Sequence, residues 1–154
     1  MRILTAVAAT IVLVAAVHAG AADREPASEI RPRVDHHIRE ATVLAQHFET
    51  LVGAQCPRFP NAGEWNAYVE GEVDRMLLLA AHVEQAWVEA KRTGDDDVRR
   101  AAKAPRRRLD DAPQIMDKLA ACAQDHGATL SPGSVYRRIE RDLPGRQADI
   151  ALPR

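Results

Sequence analysis

Three stretches of this chain repeat apolar residues at alternating steps of four and three. The first runs through Val34, Ile38, Ala41, Ala45, Phe48 and Val52. The second runs through Val69, Val73, Met76, Ala80, Val83 and Trp87, with Trp65 leading into it on the same face. The third runs through Val98, Ala102, Pro105, Leu109, Ala112, Met116, Leu119 and Ala123. Such spacing draws one apolar stripe along an α-helix, and the strict alternation of a half-buried strand is absent. A helix with one stripe must bury it against a neighbour, and short connections make successive helices antiparallel. The pattern therefore predicts an all-α fold, an up-down-up three-helix bundle.

Local signals set the boundaries. Pro32 suits the first turn of a helix that starts near Ser28 or Arg31 and ends at Ala54, before Cys56-Pro57. Asn61 stands three residues before Glu64, the pattern of an N-cap with a reciprocal partner, and opens a second helix from about Ala62 to Arg92. Thr93-Gly94 stops that helix, and Asp95-Asp96-Asp97 opens the third. The third stripe stays in phase through Pro105 and Pro113, so a kink or break is expected at one or both. After the turn Ser131–Ser134, Val135, Ile139 and Leu143 share one face of a short fourth helix, which Pro144-Gly145 ends. This gives a bundle domain over residues 22–143 and a flexible tail over 144–154.

Residues 1–21 read differently. Arg2 precedes an apolar run from Ile3 to Val17, and small residues follow, with cleavage expected after Ala19 or Ala21. This is the pattern of a secretory signal peptide, and the run is shorter than the roughly 20 residues a spanning helix needs. The expected location is periplasmic or secreted, with no membrane span after cleavage. Export also gives the two cysteines a role. Cys56 lies just past the first helix and Cys122 in the last turns of the third, at the same end of two parallel helices. One disulfide between them is expected.

The charge balance is near neutral, with 21 basic and 22 acidic side chains, which argues against nucleic acid as the partner. No Gly-rich phosphate loop, G-x-S-x-G elbow, CxxC or zinc-ribbon spacing occurs, so the sequence points away from an enzyme and from a bound cofactor. Met76 and Met116 lie on the stripes as core filler rather than haem ligands. Arg99, Arg100, Lys103, Arg106, Arg107 and Arg108 form a run without an intervening acid, able to meet an anionic component of the cell envelope. Trp65, Tyr68 and Tyr136 are the candidate aromatic anchors for a partner protein or a second copy. The leading expectation is a non-enzymatic periplasmic interaction module of the adaptor, chaperone or inhibitor kind.

The alternative is a metal- or small-ligand-binding bundle, a sensor or carrier. Counting through the first connection sets His36 and His37 level with His82, and Glu40 follows His36 by one turn. Imidazoles and a carboxylate so placed suit zinc, copper or nickel. The stripe phase, however, puts His36, His47 and His82 at outer positions and His37 only on the flank.

Overall fold

The computed structural model describes residues 24–153, and the expected signal segment, residues 1–21, lies outside them. The chain forms α1 (Ala27–Gly53), α2 (Ala62–Ala90), α3 (Asp96–Lys103), a 3₁₀ segment (Ala104–Asp111), α4 (Ala112–Asp125) and α5 (Pro132–Ile150). No strand occurs among the described residues, and none of their helices is long and apolar enough to cross a membrane.

The first connection works as its sequence requires. Asn61 is extended, and its side chain accepts from the Glu64 N–H at 3.0 Å while its amide donates to the Glu64 carboxylate. One open donor at the start of α2, the Glu64 N–H, is thereby met, and the side-chain bond holds the cap in place. Asp95 caps α3 in the same way, accepting from the Val98 N–H at 2.9 Å.

The proline-bearing third region is one helical direction in three pieces. Pro105 opens the 3₁₀ segment and Pro113 stands in the first turn of α4. Each proline lacks the N–H that a continuous α-helix would need, and the tighter turn between them takes up the mismatch. Val98, Ala102, Ile115, Met116, Leu119 and Ala123 nevertheless stay buried, so the stripe survives the break.

Cys56 and Cys122 form the expected disulfide, with Cα atoms 5.3 Å apart and 66 residues between them in sequence. It ties the end of α1 to the last turns of α4. Beside it, Trp65 stacks on His126 at 4.6 Å between ring centroids, and His126 Nε2 meets the Pro57 carbonyl at 2.9 Å.

The fourth helix is longer than expected. α5 continues through Pro144 to Ile150, and the segment expected to be a flexible tail is helical to that point. Pro144 removes one backbone bond, but it and Glu140, whose carbonyl loses its donor, are both exposed and can be solvated. Side-chain pairs hold the helix along α2: Arg138 with Glu70, and Arg146 with Asp74 at 2.5 Å. α5 starts at the disulfide end, so it runs parallel to α2 and returns the chain to the opposite end of the bundle.

Two apolar clusters fill the interior. The larger, around Phe48, Trp65, Met76, Val83, Met116 and Leu119, occupies the disulfide end and middle. The smaller, Ile30, Val34, Ala86, Ala90, Val98 and Ala102, occupies the far end. The layer between them is polar, and it holds the candidate site.

Candidate metal centre

His37 sits on α1 between Val34 and Ala41, each a turn away and each buried. The buried positions of α1 are Ile30, Val34, His37, Ala41, Ala45, Phe48 and Leu51, a stripe rotated by about one residue from the one that apolar counting selects. Ile38 and Val52 move to its edge, and His37 takes the seam. On α2 burial extends well around the helix, because α1, α3 and α5 all pack against it. His82 is therefore interior, only 6 % exposed, where the stripe alone puts it outside.

The two imidazoles meet directly. His37 Nδ1 and His82 Nδ1 lie 3.0 Å apart, so one ring donates its N–H to the lone pair of the other. His36, half-buried at the mouth, stands 5.1 Å from His37 and 6.1 Å from His82 between ring centroids. One ligand atom from each of the three falls within 4.8 Å of the others. Neighbours bonded at about 2.0–2.1 Å to a tetrahedral ion lie about 3.3 Å apart, so the pair needs only a few tenths of an ångström of opening.

Electrostatics keep the His37 and His82 imidazoles in the form that can bind a metal. Burial, followed by the neighbouring charges of His82 and His36, lowers the His37 pKa to about 4, against an opposing pull from Glu89. Burial also lowers His82, while Glu40 works to raise it. Both rings are neutral at physiological pH and offer lone pairs. His37 Nε2 is buried and has no hydrogen-bond partner among the described residues. That nitrogen points away from the Nδ1 pair, so it lies outside the point where the two rings meet.

Glu40 is not drawn into this cluster. It lies exposed one turn past His36, so the structure gathers three of the four residues singled out from the sequence. His36 keeps the outward position expected of it, and the expectation that His82 lies outside the seam is corrected.

Two further polar layers share the α1–α2 seam. Toward the far end, Glu89 is buried and accepts from Arg33 Nε at 3.1 Å, Arg92 at 2.6 Å and Gln85 at 3.3 Å. Toward the disulfide end, the buried Glu72 accepts from His47 Nε2 at 2.7 Å and Arg75 at 2.8 Å. His47, Tyr68, Glu72 and Lys118 also line a cavity of about 220 Å³. Glu72, Glu89 and Arg33 escape sequence reasoning because a charged residue at the edge of a stripe normally reads as solvated surface.

The expected partner surface is largely used up internally. Trp65 is buried and cannot anchor a partner. Tyr68 is half-buried against Phe59, and burial raises the pKa of both Tyr68 and Tyr136. In the basic run, Arg99 faces Asp96, Arg100 pairs with Asp97, Arg106 with Glu84 and Arg108 with Glu49. Lys103 and Arg106, with Lys91, lie 5.2–5.4 Å from the ring centre of Trp87. Arg107 has no acidic partner among the described residues. Trp87, read from the sequence as a stripe residue, thus carries the cations on a half-exposed ring. No family model matches the chain, and the comparisons with curated proteins and with solved structures found no match.

Proposed function

We propose that this protein is an exported helical bundle that binds a divalent transition-metal ion through His36, His37 and His82. The supporting observation is the convergence of three imidazoles from two antiparallel helices, with the His37 and His82 Nδ1 atoms 3.0 Å apart in a polar layer between two apolar clusters. Imidazole donors favour zinc, copper or nickel over calcium or magnesium, which take oxygen ligands. A nearly closed site with one half-exposed ligand suits a carrier or sensor that loads and unloads through the His36 side.

This reading stands ahead of the interaction module for a physical reason. The aromatic anchor Trp65 belongs to the core, and four arginines of the basic run face acids of this chain. Titration calorimetry of the metal-free protein with zinc, copper(II) and nickel tests the proposal. One equivalent should bind in the micromolar range or tighter, and His37→Ala or His82→Ala should weaken it at least tenfold. Absence of stoichiometric binding by all three ions would refute it.

A further inference from the structure

Arg33 joins the layer next to the histidines to the residues that follow α5. It stands one helical turn before His37. Its Nε donates to Glu89, its Nη1 to the Pro153 carbonyl at 2.7 Å and its Nη2 to the Leu152 carbonyl at 2.5 Å. Among the described residues, these are the hydrogen bonds that hold residues 152–153 to the bundle.

We propose that metal binding at the histidine centre and docking of residues 151–153 oppose one another, with Arg33 and Glu89 carrying the coupling. The inference rests on the metal-binding reading above. A divalent ion adds positive charge one turn from Arg33. Loading the site therefore sets a like charge against Arg33, four residues before His37 on the same helix. Glu89 gives it up at small cost, because Arg92 and Gln85 still donate to it. Arg33 is 15 % exposed and reaches solvent only by moving outward, which breaks its bonds to both carbonyls. The segment after α5 then lets go, and in the metal-free state it locks again.

Linkage makes the effect reciprocal: whatever factor the ion imposes on docking, loss of docking imposes on ion affinity. Zinc affinity is measured by competition with a chromophoric chelator for the full chain, for Arg33→Gln and for a form lacking residues 151–154. Both altered forms should bind zinc about 5- to 150-fold more tightly, the ordinary range of such coupling. In the unaltered chain, zinc should speed hydrogen exchange at residues 148–152, and His82→Ala should abolish that response. If Arg33→Gln does not fold, the exchange experiment on the unaltered chain decides. Zinc binding with equal affinities in all three forms and unchanged exchange would overturn the coupling and leave the metal centre standing. A persistent exchange response in His82→Ala would also overturn it. Failure of the unaltered chain to bind zinc, copper or nickel would remove both.

Discussion

His37 gives the bundle a calculable acid sensitivity. Its pKa falls to about 4 in the folded chain, from 6.5 for a free imidazole. A base whose folded pKa is depressed disfavours folding once the unfolded chain takes up the proton. The loss begins as pH drops through 6.5 and is complete only near pH 4. A tenfold difference in proton affinity between the folded and unfolded chains is worth about 1.4 kcal/mol, so His37 removes about 2 kcal/mol between pH 7.5 and 5.0, and about 3 kcal/mol by pH 4. The side chain is fully buried, so solvent does not screen the effect. Urea unfolding of the metal-free protein at pH 7.5 and 5.0, beside His37→Leu, isolates it. The unaltered chain should lose about 2 kcal/mol more over that interval than the variant. Zinc at a hundredfold excess over its Kd should restore about 2.7 kcal/mol at pH 7.5, and less at pH 5.0, where protons compete for the same nitrogens. Equal pH dependence in the two proteins would show that His37 is solvated or protonated in the folded state. A neutral, preformed ligand set would then be ruled out.

Other outcomes follow from packing and caps. Reduction of Cys56–Cys122, which closes 66 residues, should cost about 4 kcal/mol in the chain-entropy model, seen as a lower urea midpoint in reductant. Phe48→Ala empties the centre of the larger apolar cluster and should cost about 3–5 kcal/mol by the same assay. Asn61→Ala removes the cap of α2 and should cost about 1 kcal/mol, with metal affinity unchanged because the cap lies at the disulfide end.

The helical architecture was legible because it follows from periodicity, and periodicity depends on every third or fourth residue agreeing. The stripes located α1 and α2, their antiparallel register and the coincidence of Cys56 with Cys122. The register is also what put His37 level with His82. Their burial was not legible. Apolar counting rewards Ile38 over His37, so it turns α1 by a residue and leaves the imidazole on the flank. The interior position of His82 depends on His36 and His37 of α1 meeting it, a pairing across helices that no local pattern in α2 records. The run of α5 past Pro144 was hidden for a similar reason. The proline signal is local, and the contacts that outweigh it, Arg146 with Asp74 and Arg33 with residues 152 and 153, join positions far apart in sequence.

The polar layers of the α1–α2 seam also bear on how the fold selects one register. From His37 opposite His82, ten residues onward in α1 gives His47, and ten residues back in α2 gives Glu72, which are again partners. Slipping α2 by a heptad would set His47 against Leu79 in one direction and Trp65 in the other. Either slip takes His47 from the buried Glu72, leaving that carboxylate with Arg75 alone and losing the one bond that ties it to α1. Across the middle of the seam the apolar stripes are mostly alanine and valine, such as Ala41, Ala45, Val73 and Val83, and discriminate weakly between such alignments. The histidine layer and the flanking ion-pair layers together therefore narrow the seam to one alignment. That same alignment converges three imidazoles on one point, so the device that sets the register and the site proposed to hold the metal are one arrangement of residues.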